Sequence, residues 1–326
     1  MTRLIHAGSA VVDYVYRIDA LPKPGGEKTA SSYNRIAGGG FNVMVAARRA
    51  GMPVAFAGRH GTGPEGDFLR AAFAAEGVET LTPRAPELDS GNCVVLVTAD
   101  AERTFVSWPG AEAALTIADL APITVQETDW VFISGYTLSY PGSRDALADW
   151  LEALPSGTPV IFDPTPVVAE MPSSIRARVL ARTTWLSCNV AEARSLAGAA
   201  DPAINAALLM SDHCPRANGV VIRSGALGAY LLLRDGSDGA VDGFSVPALD
   251  TNGAGDTHIG AFIAALARGE EAFAAARYAN AAAAISVSRH GGCAAPNDTE
   301  IRAFLAERNC GEPTDDLRDD EMRRKQ

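Results

Sequence analysis

Lysine is scarce in this chain of 326 residues, which contains it only at Lys23, Lys28 and Lys325. The remaining positive charge is carried by arginine. A P-loop requires a Gly-Lys-Ser or Gly-Lys-Thr triplet, and the sequence contains neither. A Schiff-base lysine normally ends a core strand, and none of the three follows a convincing apolar strand pattern. The sequence therefore excludes a P-loop nucleotide site and argues against Schiff-base chemistry.

Positive charge as a whole is also in deficit. Lys and Arg total 28 against 39 Asp and Glu, which gives a formal net charge of −11. Nucleic-acid-binding proteins need a basic face, so we expect no nucleic-acid partner. We expect no membrane partner either, because the chain has no run of about 18 apolar residues. The first residues resemble a strand and not a signal peptide.

Cysteine is the third scarce residue type. The five cysteines are odd in number and form no C-x-x-C pair; they are Cys93, Cys188, Cys214, Cys293 and Cys310. This pattern excludes a disulfide framework and the usual spacing of a zinc site. Free thiols are typical of a reducing compartment, so the predicted location is the cytoplasm.

Apolar residues make up 47% of the chain and form short strand patterns that alternate with longer helical ones. Strands are predicted over 4–12, 54–58, 130–134, 160–162, 185–188 and 220–223. Helices are predicted over 42–50, 65–76, 143–154, 175–182 and 254 to about 289. This alternation predicts a three-layer α/β/α fold around a doubly wound, mostly parallel sheet.

Two stretches do not fit the alternation of strands and helices. Residues 13–33 are rich in proline and glycine, and residues 92–108 alternate around a turn, as a β-hairpin does. We interpret both as a small β lid inserted into the α/β fold. The core is then predicted at 1–12, 34–91 and 109–308, and a flexible charged tail at 309–326. A further hairpin from residue 229 leads into a predicted strand over 244–249.

The strongest chemical signal is the segment from Asp250 to Asp256, which reads Asp-Thr-Asn-Gly-Ala-Gly-Asp between that strand and the long helix. Its small residues leave amides open at a helix N-terminus, which favours an anion. A carboxylate at Asp256 suits a hydroxyl that must lose a proton as it attacks a phosphate. The alternative is that Asp256 only caps the helix. A Rossmann dinucleotide site is disfavoured, because the third glycine is Gly260 and not residue 258.

Three weaker motifs accompany it. The glycines of the segment 38–42 allow close approach of a ligand, and Asn42 either caps a helix or presents its amide to a polyol. Asn189 and Glu192 share a helical face, where they either organise water around Mg²⁺ or form a capping box. The loop 223–228, Arg-Ser-Gly-Ala-Leu-Gly, offers backbone amides to nucleotide phosphates.

Taken in this order, the four motifs resemble those of the PfkB carbohydrate kinase family of the ribokinase superfamily, from about residue 3 to residue 308. The resemblance implies transfer of the γ-phosphoryl group of ATP, with Mg²⁺, to a hydroxyl of a small sugar. It implies that Asp256 is the general base and that anion-hole amides come from Gly253, Ala254, Gly255 and Asp256. Substrate hydroxyls would bind Asp13, Gly39, Gly40 and Asn42.

The resemblance also assigns the nucleotide side. Asn189 and Glu192 would organise Mg²⁺ and phosphate, and Glu192 would do so through water. ATP would contact Ser224, Gly225 and Gly228, and Asn280 would lie near the adenine. Some members bind a monovalent cation such as K⁺, for which the matching positions are Asp250, Asn252, Ser286 and Gly291. Members of the family dimerise through the lid, so we expect a homodimer.

The chain departs from the family pattern at two points. The spacing between the paired glycines and Asn42 is one residue shorter than is common, and His258 stands where Phe or Tyr is frequent. We expect His258 to pack and not to catalyse. The predicted substrate is an uncharged sugar, because the basic residues near the lid are equally typical of a surface: Arg17, Lys28, Arg35 and Arg103. A nucleoside kinase and a non-catalytic sugar- or nucleotide-binding regulator are the alternatives.

Overall fold

The computed structural model describes residues 2–100, 102–289, 291 and 293–309. Its strands are β1 (Leu4–His6), β2 (Ala10–Arg17), β3 (Ser32–Gly39), β4 (Val54–Phe56), β5 (His60–Gly61), β6 (Glu79–Thr80), β7 (Arg84–Ala85), β8 (Asn92–Val97), β9 (Arg103–Trp108), β10 (Trp130–Ser134), β11 (Val160–Asp163), β12 (Trp185–Asn189), β13 (Gly219–Arg223), β14 (Gly228–Leu233) and β15 (Asp238–Asp242).

Eleven α-helices lie within the described residues: α1 (Phe41–Arg49), α2 (Pro64–Glu76), α3 (Ile117–Leu120), α4 (Gly135–Ser139), α5 (Arg144–Ala153), α6 (Ser173–Arg182), α7 (Val190–Ala197), α8 (Pro202–Leu208), α9 (Ala254–Ala267), α10 (Ala272–Val287) and α11 (Asp298–Asn309). Single helical turns of other types lie at Ala111–Ala114, Pro166–Ala169, Leu209–His213 and Gly225–Leu227. No helix in the part of the chain that the structure describes is long and apolar enough to cross a membrane.

The core is a nine-stranded sheet in the order β15-β14-β13-β12-β11-β10-β1-β4-β6. All neighbouring strands are parallel except the pairs that β14 forms, which are antiparallel. Successive residues on each strand point to opposite faces. On one face they pack against α1, α9 and α10, and on the other against α5 to α8. The predicted α/β fold with a mostly parallel sheet is therefore confirmed.

A second sheet of four strands, in the order β3-β2-β8-β9, stands apart from the core sheet. Strand β2 pairs antiparallel with β3 and parallel with β8, and β8 pairs antiparallel with β9. We call this sheet the lid. The predicted division of the chain into a core and a lid stays a prediction, as do its boundaries. The predicted tail lies outside the described residues, apart from Asn309 at the end of α11.

The strand predicted over residues 4–12 is wrong, because the chain changes sheets within it. Leu4–His6 belongs to the core sheet, and Ala10–Arg17 begins the lid. Between them, a Cβ atom at Gly8 would come within 2.5 Å of the His6 ring. The His6 ring stabilises the segment between the two strands, because its Nδ1 lies 3.1 Å from the Phe132 carbonyl oxygen and its Nε2 lies 3.2 Å from the Ser9 carbonyl oxygen.

Two further predictions near the C-terminus are wrong. Residues 244–249 form no strand; Pro247 has no amide hydrogen for a ladder, and Phe244 packs edge-on against Phe304. The long helix predicted from 254 to about 289 is two helices, α9 and α10. The break falls at Gly269, whose φ of 84° is left-handed and ends a helix readily.

Candidate active site

The first turn of α9 presents open backbone amides and the carboxylate of Asp256. Its N-cap is Gly253, whose φ of 71° lies in the left-handed region that glycine adopts without strain. The Oδ2 atom of Asp256 accepts a hydrogen bond from Nδ2 of Asn42 at 3.1 Å. Asn42 reaches it because α1 and α9 pack closely: a Cβ at Gly260 would come within 2.5 Å of the Val43 carbonyl.

Asp13 lies on β2, opposite the glycine-rich end of β3. A Cβ atom at Gly38 would come within 2.1 Å of Oδ2 of Asp13, so only glycine fits there. Gly39 has a left-handed φ of 62°. A Cβ at Gly40 would come within 1.9 Å of the His6 ring. The triplet therefore serves packing around Asp13 and His6, and Gly38, which was not among the predicted substrate residues, lies against the Asp13 carboxylate.

The carboxyl groups of Asp13 and Asp256 both have raised pKa values. Burial raises the pKa of Asp256 to about 6; the charge of Asp163 adds to this, while the hydrogen bond from Asn42 opposes it. Burial likewise raises the pKa of Asp13 to about 7, and the charge of Asp256 acts in the same direction. Both carboxyl groups therefore titrate near neutral pH.

A second group of charges surrounds Arg223 at the carboxyl ends of β11, β12 and β13. Its Nη2 lies 3.5 Å from Oδ2 of Asp163 and 3.6 Å from Oε2 of Glu192, and its Nη1 donates to Oγ of Ser187 at 2.6 Å. The guanidinium also lies beside Gly255, since a Cβ there would be 3.7 Å from Nε. This arginine therefore links the strand ends to the amides of α9.

Asn189 and Glu192 form the capping box that the sequence analysis held as an alternative. The backbone N–H of Asn189 donates to Oε2 of Glu192 at 2.7 Å, and the backbone N–H of Glu192 donates to Oδ1 of Asn189 at 2.8 Å. The same Glu192 oxygen faces Arg223, so capping does not remove this carboxylate from the site. Burial and the charge of Asp163 raise the pKa of Glu192, and Arg223 opposes them.

The charges fit a divalent cation that keeps most of its water. The charge of Asp163 raises the carboxyl pKa values of Glu192 and Asp256, and the charge of Arg223 lowers the pKa at all three carboxyl groups. Among the described residues, no group of three His, Cys, Asp or Glu side chains is close enough to ligate a metal directly. Mg²⁺ is typically held through one or two carboxylates and several waters, which suits this excess of negative charge.

A cavity of about 470 Å³ opens beside the first turn of α9. The predicted nucleotide residues that line it are Asn189, Gly225, Gly228 and Asn280, and the predicted anion-hole residues Ala254 and Gly255 line it as well. Ser224 is not among its lining residues; its amide donates to the Gly228 carbonyl. Nδ2 of Asn280 donates to the carbonyls of Val241 and Asp242 at 3.0 and 3.1 Å, so this amide group braces the cavity wall.

His258 lines the same cavity, and it packs against Phe262 as expected, with stacked rings 6.2 Å apart. The side chain is 4% exposed, and neither ring nitrogen has a hydrogen-bond partner among the described residues. Burial, and then the charge of Arg223, lower the pKa of His258 to about 3 against the opposing effect of the nearby Asn280 side chain, so the ring is neutral at physiological pH.

A second cavity, of about 360 Å³, lies between the inner face of the lid and the segment around Asp250. Arg103 donates through Nη2 to Oδ1 of Asp250 at 2.5 Å, and Arg17 donates through Nη2 to Oδ2 at 3.3 Å. Both carboxylate oxygens are thus bonded to arginine, so this carboxylate does not fit a K⁺ ligand. Asn252 and Gly291 also line this cavity, whereas Ser286 is buried against Thr257.

Asp163 was not predicted from the sequence, Arg223 was named only as the first residue of a loop, and Arg17 and Arg103 were named only as basic residues near the lid. Asp163 and Arg223 end buried strands, and a charged residue at a strand end was the available signal. The meeting of Arg17 with Arg103 had no such signal, because it depends on the pairing of β2, β8 and β9 in the lid.

Comparisons with known proteins agree with this geometry. The chain matches the pfkB family of carbohydrate kinases over residues 1–300. It is 33% identical to an uncharacterized sugar kinase, YegV, of Escherichia coli strain K12 over 304 residues, which cover 93% of each chain. It is 32% identical to a ribokinase of Haemophilus influenzae over 308 residues, covering 91% of this chain and 96% of that one.

A solved structure shares the fold. The structure of Arabidopsis thaliana ribokinase complexed with ribose and ATP superposes with a TM-score of 0.73 at 22% identity, covering 94% of this chain and 99% of that one. The match over residues 1–300 and the relatives above 30% identity extend over nearly the whole chain. The chain therefore belongs to the pfkB family of carbohydrate kinases and is an ATP-dependent sugar kinase.

Proposed function

We propose that the enzyme transfers the γ-phosphoryl group of ATP to a hydroxyl of a small sugar, with Asp256 as the general base. One observation carries this assignment: the Asp256 carboxylate lies in the first turn of α9, fixed by Asn42, beside amides that have no intrahelical acceptor. Its pKa of about 6 suits a base that works near neutral pH.

The proposed reaction uses both cavities. The sugar lies between the lid and Asp256, where Asp13 and Asn42 accept and donate hydrogen bonds to its hydroxyls. As the sugar oxygen bonds to the γ-phosphorus, Asp256 accepts the hydroxyl proton and the bond to the β–γ bridging oxygen breaks, releasing ADP. The amides of Ala254, Gly255 and Asp256 stabilise the charge that develops on the phosphoryl oxygens.

Mg²⁺ is part of this proposal, held through water by Glu192 and Asp163; when bound, it shields the charge of the phosphates. The monovalent-cation site at Asp250, Asn252, Ser286 and Gly291 stays a prediction. Because two guanidinium groups already satisfy the Asp250 carboxylate, we expect turnover without K⁺. Initial rates in sodium and potassium buffers of equal ionic strength test this.

A sugar is favoured over a nucleoside by the position of the aromatic residues of the lid. Tyr14 and Tyr16 alternate with Asp13 and Val15 on β2, so they point to the outer face, where both rings lie near Tyr33. Neither Tyr14 nor Tyr16 is therefore among the described residues that line the cavity and could stack on a base. The nucleoside kinase and the non-catalytic regulator remain alternatives, and a substrate panel that includes nucleosides tests both.

We also propose a homodimer that forms through the lid, in the cytoplasm. Strand β9 is one of the two edge strands of the lid, and on it Val106 is 62% exposed and Trp108 is 72% exposed. Exposed apolar residues on an unpaired edge favour pairing with another chain. The four cysteines in the described part of the chain are all free thiols, which supports a reducing compartment.

Asp256→Asn tests the proposed base. The amide cannot accept the hydroxyl proton, so we expect turnover, measured as ADP release, to fall by about 10²- to 10⁴-fold. Calorimetry should show ATP binding within about threefold of the unsubstituted protein, because the amides of α9 remain. Asp149→Asn, on the distant surface of α5, is the matched control and should retain full activity. Near-normal turnover of Asp256→Asn would contradict the assignment.

A further inference from the structure

Two arginines on the inner face of the lid point to the class of sugar that the enzyme accepts. On β2, Asp13, Val15 and Arg17 share one face, and Val15 and Arg17 line the second cavity. Arg17 lies four residues beyond Asp13, about 13 Å along the strand. Asp13 and Asp256 are not among the residues that line this cavity, which continues the lid face that carries Asp13 and has Arg17 and Arg103 side by side at its far, basic end.

The charges at that basic end do not balance. Among the described residues, the charged ones that line the cavity are Arg17, Arg103 and Asp250, so two guanidinium groups face a single carboxylate. The excess is one positive charge, in a protein whose formal net charge is −11. Asn34 adds a neutral amide to the same wall. An anionic group on the sugar would compensate this excess charge.

Arg17 retains donors for a ligand. A guanidinium has five N–H donors, and the side chain of Arg17 makes one hydrogen bond among the described residues, at 3.3 Å to Asp250. Its side chain is 40% exposed, whereas that of Arg103 is 18% exposed and bonds both Asp250 and Thr251. The Arg103 side chain is therefore held in place by its contacts with the core, whereas the Arg17 side chain has N–H groups that can bind a ligand.

We propose that the sugar carries an anionic group, a carboxylate or a phosphate, and that Arg17, supported by Arg103, binds it. A planar guanidinium matches both groups through two parallel hydrogen bonds. This inference rests on the proposed kinase function and deepens it. It replaces the uncharged sugar predicted from sequence, because the sequence did not show that these arginines share one cavity.

A competing explanation is that the two arginines only fasten the lid to the core through Asp250. Such a contact would help to close the lid over every sugar equally. Recognition of an anion, in contrast, affects only those substrates that carry one. Comparison of charged with uncharged sugars therefore separates the two roles.

The experiment measures ADP release with ATP and Mg²⁺ in three arms. One contains neutral sugars (ribose and fructose), one contains sugar acids (gluconate and 2-keto-3-deoxygluconate), and one contains sugar phosphates (ribose 1-phosphate and fructose 6-phosphate). We expect kcat/KM for a member of one of the anionic arms to exceed that of every neutral sugar by about tenfold or more. Raising the salt concentration should increase KM in that arm alone.

Arg17→Gln then tests the residue. It should raise KM for the preferred anionic sugar by about 10- to 100-fold and change kcat/KM for neutral sugars less than about threefold. The matched control is Lys28→Gln, which removes one positive charge from an exposed ion pair with Asp19, outside the cavity. We expect this control to retain the kinetic constants of the unsubstituted protein.

Each remaining outcome contradicts a defined statement. Neutral sugars with the highest kcat/KM would overturn the anionic class while leaving the kinase function intact. Equal losses for neutral and anionic sugars in Arg17→Gln would show that the arginine only fastens the lid. If no arm released ADP above the Asp256→Asn background, the proposed function and this inference would both fail.

Discussion

Burial and the charge of Asp163 both raise the pKa of Asp256, a carboxylate that must be ionised to accept a proton. Below its pKa of about 6 the group already holds a proton, so activity should fall as the pH decreases. Asp13, with a pKa of about 7, titrates in the same range and shares this effect. We predict that kcat/KM is constant in mild alkali and declines below about pH 7. A rate that stays constant down to pH 5 would contradict this.

Asp163→Asn tests the cause of that shift. Removal of the Asp163 charge should lower the pKa of Asp256, so the decline in kcat/KM should move to lower pH. The side chain still fits, because its Oδ1 can continue to accept from the Thr165 amide, which lies 3.1 Å away. The profile of Asp149→Asn serves as the reference. An unchanged midpoint would show that burial alone accounts for the raised pKa.

His258 is a residue at which stability should increase on substitution. Its ring is 4% exposed and both ring nitrogens lack partners among the described residues, so burying it costs free energy that phenylalanine would not. We predict that His258→Phe raises the free energy of unfolding by about 1 kcal/mol, measured by urea denaturation without nucleotide. His6→Phe is the contrasting variant and should destabilise, because the His6 ring bonds two carbonyls.

At the scale of elements, the glycine-rich end of β3 sets the space around Asp13. Gly38→Ala would place a Cβ within 2.1 Å of Oδ2 of Asp13, and the carboxylate would have to move. We expect KM for the sugar to rise about tenfold or more, with KM for ATP little changed. Gly239→Ala, on β15, is the matched control, since its nearest neighbour would be 3.7 Å away. Equal sugar KM values for both variants would contradict this role.

Elements differ in how far the sequence alone could predict them. Buried parallel strands and the first turn of α9 follow from local patterns, and the structure has them near the expected residues. The division of residues 4–12 between two sheets does not follow from local patterns. Both β1 and β2 have the pattern of an apolar strand, and they are distinguished only by the strands with which they pair. The positions of Gly38 beside Asp13 and of Arg17 beside Asp250 likewise depend on contacts between residues that are distant in sequence.

For the whole molecule, the exposed edge of the lid carries the prediction about assembly. We expect that the double variant Val106→Ser, Trp108→Ser shifts the protein from dimer to monomer, because it removes the apolar surface of β9. Sedimentation velocity at several protein concentrations measures this. Ile204 lies on α8, which is not part of the lid, and is 55% exposed. As a control, Ile204→Ser should leave the dimer intact. A dimer that persists in the double variant would place the interface elsewhere.

The order of strands in the lid also has a consequence for how the protein folds. Strand β2 pairs with β8, so that Val12 lies opposite Asn92. Along the chain, α1, β4 and α2 lie between these two residues. Closing so long a loop costs entropy before the ladder can form, so we expect the lid to assemble only after these elements have packed. During native-state hydrogen exchange, the β2–β8 amides should then open at lower free energy than those of β10 and β11. The surface that selects the sugar would thus be the last part of the chain to form and the first to unfold.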